Sequence, residues 1–559
     1  MNSQMNPAQP ADIVLSGNFV FSGLGEKPKK ASVAIKGNKI FAVGSEKEMV
    51  PLIGKKTKTY KFDNELIMAG FNDFHIHLTL GSLYEHYPDL SSATSEEEAV
   101  DLLKQHYEKS DNKKNQWILG FRWYHLFWEK TELPHRLSLD KVFPNQPVCL
   151  LNADAHGAWL NSKGLEVLGI NRETPDPPFG KIIRDENGEP TGVLDETALG
   201  LAKRAFEIPY EQRVRVFQSF LKMAAKYGVT SVGDMFPVPG FDMGDLEIYE
   251  LFEKKGELSV RIDFLSTLTG EFDYVKKLRD KYCSEKLNFS GLKQFLDGVP
   301  ATYTAYLLGP YNDNPNTIGE TLMPPEIVKE WITNADKEGF RIRLHACGDG
   351  AIRLALDSYE AARKNNGIRD SRHTIEHVET VSANDLDRFA ELGVIASMQP
   401  EHIALFETFE ENTYPSRLGP LREPYWPIKT LMSRKANLAF GSDFPIVNLN
   451  PMYGIYRAVT RVHNDGEPNG GWHSAEIISM AEALRFYTLG GAYGNFKESK
   501  LGTIEVGKLA DIVVLDKNLF EVDSSEIIST KVNLTIMDGK VVYEKAPNSQ
   551  SAMEVCIFE

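Results

Sequence analysis

The chain has 559 residues, 42% of them hydrophobic and 25% charged, which is too long for one small core and ordinary for a globular protein of two or three domains. Its net charge of −16 comes without any long basic run, and this excludes the basic face that nucleic acid or an anionic membrane surface requires. Cys149, Cys283, Cys347 and Cys556 are scattered without a C-x-x-C pair, which argues against a disulfide framework or a structural zinc knuckle. The first residues show no signal-peptide pattern and no stretch approaches about 18 continuous apolar residues, so the expected location is cytoplasmic unless a leader has been removed.

In chain order, the first elements are short strands. Ala11–Leu15 and Phe19–Gly23 open the chain, and Ala31–Val43 alternates in polarity around a Gly37-Asn38 turn. The far end repeats the pattern, with Ala510–Leu515 followed by Thr535–Gly539. Short strands and tight turns at both ends predict one small composite β-sandwich from residues 1–65 and 495–559. Between them the predicted strands are Ile67–His77, Val229–Asp234, Val260–Leu265, Gly291–Asp297, Arg341–His345, His373–His377, Val394–Gln399 and Asn437–Asp443. Helical patterns such as Pro325–Glu338, Ala351–Lys364 and Ala383–Leu392 separate most of them. This alternation predicts an α/β fold, a (β/α)8 TIM-like barrel over residues 66–82 and 205–494, with a doubly wound open sheet as the competing architecture.

About 140 residues separate the first two strands, far more than a connecting loop needs. Tyr210–Tyr227 reads as an amphipathic helix, and residues 83–204 are expected to form an inserted subdomain. An insertion after the first barrel strand emerges on the catalytic face, where it can cover the site as a lid. Its aromatic cluster of Trp117, Trp123, Tyr124, Phe127 and Trp128 is more simply expected to be its own core.

Chemistry first shows at Phe74-His75-Ile76-His77, the end of the first strand. Residues at i and i+2 share a face of a strand, so His75 and His77 can bind one metal together. His345, His377 and Asp443 end the fifth, sixth and eighth predicted strands. Strand ends of a barrel converge on one face, and histidines with a carboxylate there make a nitrogen and oxygen site suited to zinc or a similar ion. Lys293 sits in an otherwise apolar strand, GLKQFLDG, where an ammonium is costly unless paired. Burial lowers a lysine pKa, and a neutral amine can take up carbon dioxide as a carbamate able to bridge two cations. On chemistry alone, an ion pair with Asp297 or another carboxylate is the stronger expectation. Gly502–Lys508 has the spacing of a phosphate-binding loop, but Leu509 stands where Ser or Thr is needed and a strand follows, so it reads as a turn. There is no G-x-S-x-G elbow.

Together these segments resemble the amidohydrolase superfamily, specifically its amidohydrolase-3 (YtcJ-like) group. MAGFNDFHIHL resembles the group's metal-binding first strand, GLKQFLDG its lysine strand, LHACGDGAI its fifth-strand motif and TIEHVE its sixth. SMQPEHI, AFGSDFPIVNLNP, LGTIEVGKLADIVVLD and VNLTIMDGKVVYE match its later segments, and PVCLLNADAHGAWLNSKGLEVLGI and GEPTGVLDE its insertion. The resemblance spans nearly the whole chain and is specific for the group, but not for a substrate.

The resemblance implies a metal-dependent hydrolase that cleaves the C–N bond of a non-peptide amide, N-acyl or N-formyl by preference, with a metal-bridged hydroxide. It implies two divalent metal ions, zinc first, with manganese, iron or nickel as alternatives. His75, His77 and Asp443 would hold the more buried ion, His345 and His377 the second, and carbamylated Lys293 would bridge them. Asp443 would also be the catalytic residue that moves the water's proton to the departing nitrogen. His156, Asp349 and His402 lie inside matching motifs and are candidates for contacts to the substrate or behind the ligands. The alternatives are an aminohydrolase (deaminase), a cyclic-amide hydrolase, and a scaffold that has lost the chemistry. Deaminases of the superfamily resemble one-metal sites with a Glu shortly after the fifth-strand histidine, and His345-Ala346-Cys347-Gly348 contains no carboxylate. The expected partner is a small-molecule substrate, with a homodimer allowed for.

Overall fold

The computed structural model describes residues 10–109, 117–406 and 408–546. Cys556, the first residues read for a signal peptide, and the side chain of Phe127 lie outside that description.

The central sheet has eight strands: β1 (Phe71–Ile76), β2 (Val229–Met235), β3 (Arg261–Thr267), β4 (Leu287–Phe295), β5 (Ile342–Ala346), β6 (Thr374–His377), β7 (Ile395–Met398) and β8 (Asn437–Phe440). Neighbours in sequence are neighbours in the sheet, and every pairing is parallel. Most of these strands are buried along their length, which is why they read as near-continuous apolar runs. The sheet nearly closes on itself rather than staying open. A parallel bridge joins Ile76 to Phe444, the His77 N–H donates to the Phe444 carbonyl at 2.7 Å, and the Asp443 N–H donates to the His75 carbonyl at 2.7 Å. Outside the barrel lie helices such as Tyr210–Lys226, which buries Val216, Phe217, Phe220, Leu221 and Ala224 on one face.

The first predicted barrel strand, Ile67–His77, is two strands in two sheets. Lys58–Ala69 belongs to the terminal sheet, and the chain crosses at Gly70 into β1. A Cβ on Gly70 would lie 2.4 Å from Thr230 Oγ1 and 2.5 Å from its Cγ2, so only glycine lets the chain pass. The run Leu66–Ile76 is buried almost throughout, and unbroken apolar character hides the boundary.

Both chain ends meet in one seven-stranded sheet, in the order Lys540–Glu544, Val532–Met537, Ile512–Leu515, Lys58–Ala69, Ile13–Phe21, Lys29–Lys36, Lys39–Gly44. Ile13, Leu15, Val33, Ile67, Ile512 and Ile536 share a core there. The phosphate-loop decoy lies beside it, where Lys508 Nζ is 2.9 Å from Glu505 and donates to Thr503 Oγ1 at 2.5 Å. Buried Arg261 on β3 ties barrel to sheet through a two-pronged bond to Asp511 at 2.8 and 2.9 Å.

The insertion builds its own five-stranded sheet, in the order Ile118–Trp123, Val148–Asn152, Gly157–Leu160, Pro190–Glu196, Gly180–Arg184. Trp123 and Trp128 pack with Trp159 in its core, as expected of the aromatic cluster, while Tyr124 turns toward the cavity described below. Among the described residues, no helix is long and apolar enough to cross a membrane.

Gly70→Ala is expected to cost about 1–3 kcal/mol through overpacking, and adding Thr230→Ala to recover part of it. Urea denaturation of the two variants checks this; a wild-type midpoint for Gly70→Ala would show that the crossing has room for a methyl group.

Candidate metal centre

The barrel seam sets the centre. β1 delivers His75, and His77 follows just beyond its end. Asp443 lies past β8 with φ at 63°, a region that non-glycine residues rarely occupy, and its N–H is fixed on the His75 carbonyl. Its Oδ1 stands 3.2 Å from His75 Nε2 and 3.5 Å from His77 Nε2. Its Oδ2 stands 3.6 Å from His402 Nε2 and 4.0 Å from His377 Nδ1. Imidazoles from β1 and its end, from β6 and from the segment after β7 thus turn toward one carboxylate, and His345 from β5 lies beside them, its ring centroid 4.4 Å from that of His377. Lys293 reaches the same region from β4, with its Nζ 4.8 Å from the Phe295 ring centroid.

Bonds behind these rings hold them in place. His75 Nδ1 is 2.7 Å from Glu376 Oε2, and Glu376 is bonded in turn by Arg343, whose guanidinium stacks 3.8 Å from the Phe74 ring centroid. His77 Nδ1 is 2.9 Å from the Met235 carbonyl, and His377 Nδ1 is 2.9 Å from Gln399 Oε1. In each case the Nδ1 side is committed and Nε2 remains for a ligand, the usual arrangement behind metal-binding histidines. His75 Nε2, His402 Nε2, Asp443 Oδ1 and Lys293 Nζ are buried with no hydrogen-bond partner among the described residues. Buried polar atoms left unpaired are costly, and a cation among them would satisfy the imidazole nitrogens and the carboxylate together. The residues therefore fit a metal.

Electrostatics prepare the same donors. Burial drives His77 down to about 3 and His402 down to about 4, and drives His345 and His377 well below the usual range. These imidazoles are neutral, the form that binds metal. Burial by itself would raise the Asp443 carboxyl, but His75, with His77 and His402, outweighs it and holds the group well below the usual carboxylate range. Burial lowers Lys293 to about 8, against the pull of Glu376 and Asp443. The ion pair expected between Lys293 and Asp297 does not form. Asp297 instead accepts backbone N–H groups from Tyr306, Cys347 and Gly348 at 2.9, 3.1 and 2.9 Å, a loop anchor that occupies its oxygens.

Not every expected residue joins the cluster in the same way. His75, His377 and Asp443 form one compact donor group, while His345 falls in another with Asp297 and Cys347. His345 Nε2 lies 3.2 Å from the Gly298 carbonyl and 3.4 Å from Cys347 Sγ. Asp349 opens the helix Asp349–Asn366, accepts the Leu308 N–H at 2.9 Å and sits 3.6 Å from Arg422 Nε; it does not line the cavity. His156 does line it, and its Nδ1 is 2.9 Å from Glu196 Oε2. Burial would lower His156, but Glu196 outweighs it and lifts the ring to about 9. Sequence reasoning missed Glu376, Gln399, Glu196 and Glu379. Glu376 carried a signal equal to that of Lys293, a charge inside the buried strand TIEH. Glu379 accepts the Tyr414 hydroxyl at 2.8 Å, and burial pushes it up to about 8.

Above the centre opens a cavity of about 1350 Å³, walled on the barrel side by residues such as Phe295 and Leu405 and on the insertion side by Tyr124, Trp128, Asp154 and His156.

Comparison with known proteins places this geometry. The profile described as "Amidohydrolase family" matches residues 63–543. The chain is 31% identical to Protein LONG AFTER FAR-RED 3 of Arabidopsis thaliana, over 95% of this chain and 92% of that protein. It is 26% identical to the N-substituted formamide deformylase of Arthrobacter pascens, over 92% of this chain and 95% of that protein. A solved structure described as an uncharacterized metal-dependent hydrolase from Pyrococcus horikoshii superposes with a TM-score of 0.72 at 26% identity, covering 92% of this chain and 99% of that one.

Glu376→Gln would leave Arg343 a buried cation without its counter-charge, at an expected cost of about 3–5 kcal/mol. Denaturant unfolding measures this as a lowered midpoint at unchanged slope, and an unshifted midpoint would mean that Arg343 has another counter-charge.

Proposed function

This chain belongs to the amidohydrolase family, and from that premise we propose that it is a metal-dependent hydrolase cleaving the C–N bond of a non-peptide amide, of N-acyl or N-formyl type. The observation that carries the proposal is the gathering of buried imidazoles around Asp443, with the Nζ of Lys293, unpartnered among the described residues, beside them. The nitrogen and oxygen donor set suits zinc. The similarity to a protein named as a formamide deformylase over almost the whole chain supports the choice of amide.

In this reading His75, His77 and Asp443 would hold one ion, and His345 and His377 the second. Lys293 Nζ would form a bond to the carbon of carbon dioxide and release a proton, and the resulting carbamate would add anionic oxygen ligands. Burial, which lowers Lys293 to about 8, raises the share of neutral amine that this step needs. Such ions would supply Lewis acidity toward a water and the scissile carbonyl. Asp443, ionised and fixed by its own N–H at the seam, accepts the water's proton and passes it to the departing nitrogen. His402, 3.6 Å from Asp443 Oδ2, restricts the swing of that carboxylate. The insertion walls one side of the cavity, and the volume of about 1350 Å³ leaves room for a sizeable substituent on the amide.

Elemental analysis of protein purified without chelator is expected to give about two divalent ions per chain. Lys293→Ala should lose metal and most activity, and a short carboxylic acid should restore part of both by supplying the missing oxygens. A wild-type metal content near zero with activity intact would end the metal reading, and a fully active Lys293→Ala would end the carbamate.

Asp443→Asn keeps the side-chain volume and hydrogen bonding but cannot accept the proton. Turnover should fall at least about a hundredfold, the lower range for general acid–base catalysis, with metal content measured on the same sample. A variant that keeps its metals and turns over at the wild-type rate would move the proton role to another residue.

A further inference from the structure

The insertion places a second histidine–carboxylate pair over the centre, and neither member belongs to the proposed ligand set. His156 sits in the turn between the strands Val148–Asn152 and Gly157–Leu160, and Glu196 ends the strand Pro190–Glu196. These strands are neighbours in the insertion's sheet, with Asp195 opposite Gly157. The pair is bonded twice, through His156 Nδ1 and Glu196 Oε2 at 2.9 Å and through the Glu196 N–H and the His156 carbonyl at 2.8 Å. The His156 N–H is fixed in turn on Asp154 at 3.0 Å.

The backbone is bent to hold it there. Ala155, just before the histidine, has φ at 61°, and Glu196 has φ at 48°. Both are conformations that side-chain-bearing residues seldom adopt and that persist where the surroundings enforce them, often at functional sites. The imidazole reaches the barrel, with its centroid 6.0 Å from the Phe295 ring at 90° and 6.1 Å from the His345 ring. Its Nδ1 is committed to Glu196, so Nε2 is the ring nitrogen left for a ligand in the cavity.

We propose that the His156–Glu196 pair is a catalytic element supplied by the insertion, in which His156 Nε2–H hydrogen-bonds the carbonyl oxygen of the reacting amide and Glu196 orients the ring. This rests on the amide-hydrolase reading above. The location is the His345 side of the centre, in the cavity that Asp443 also lines. Glu196, 2.9 Å from Nδ1, is the carboxylate counter-charge that faces the ring on the side away from the cavity. A donor aimed at the oxygen acts most strongly as negative charge develops there. The insertion is thereby more than a cover, because the reacting group is bound between it and the barrel.

The test compares wild type, His156→Phe, His156→Gln and Glu196→Gln as metal-loaded proteins. The readouts are metal content, hydrolysis of formanilide, and binding of N-phenyl methylphosphonamidate, a stable mimic of the tetrahedral intermediate. His156→Phe is expected to keep its metals, lose kcat/KM by about a hundredfold or more, the effect of removing one such donor, and weaken phosphonamidate binding comparably. His156→Gln, which retains an N–H, should recover part of both. Glu196→Gln should fall by about tenfold or more, as expected for loss of an orienting partner. Unchanged phosphonamidate affinity in His156→Phe overturns the assignment, even where turnover falls. Loss of metal in both His156 variants overturns it as well, because the ring would then be structural. Wild-type protein that binds the phosphonamidate through His156 but hydrolyses no amide overturns the amide reading alone.

Discussion

The structure depends on one buried carboxylate. Asp443 lies almost out of solvent, its carboxyl held below the usual range, with imidazoles from β1, from β6 and from the segment after β7 turned toward it. An isolated carboxylate in such a place would take up a proton or exact a large desolvation cost. The bond that positions it is a backbone bond, from the Asp443 N–H to the His75 carbonyl across the barrel seam. Closure of the sheet and assembly of the donor cluster are therefore the same event. Whatever disturbs the meeting of β1 with the end of β8 disturbs the site directly.

Around this charge the barrel arranges alternating sign. Glu376 stands behind His75 and is neutralised by Arg343, which in turn lies on the face of Phe74, the residue before His75. The chain from ring to carboxylate to guanidinium to aromatic face runs through four buried residues, each useful only if the next is present. Lys293 is the exception. It is fully buried and without a hydrogen-bond partner among the described residues, and the candidate nearest along the chain, Asp297, is occupied by backbone N–H groups of the loops after β4 and β5. A buried amine kept out of every ion pair remains available for chemistry at its nitrogen.

The terminal sheet and the insertion's sheet confine this centre from opposite ends. The terminal sheet is joined to the barrel at Gly70 and through Arg261 and Asp511, away from the cavity, so its contribution is to hold β1 and β3 in place. The insertion leaves the chain where β1 ends and brings back His156, Glu196, Asp154 and Tyr124 to the cavity wall. Trp123 and Trp159 are packed in its own core, which braces those polar groups.

The sequence by itself determined the number and order of the barrel strands, because parallel strands buried on both faces leave compact apolar runs between amphipathic helices. It also determined most of the ligand candidates, because His75, His77, His345, His377 and Asp443 fall at strand ends that a barrel must bring to one face. It did not reveal the boundary at Gly70, since the strands on either side are equally buried and periodicity carries no mark of a change of sheet. It suggested Asp297 as the partner of Lys293 from nearness along the chain, and only the tertiary structure showed that the loops after β4 and β5 take those oxygens. Asp349 shared a motif with the site yet faces Leu308 and Arg422. Glu196 gave no readable pattern, and Glu376, though visible as a charge inside a buried strand, could not be given a role, because a carboxylate's role depends on which cation or imidazole lies across from it. His75 and Glu376 are 301 residues apart in sequence and 2.7 Å apart in space, a proximity that only the closing of the barrel creates.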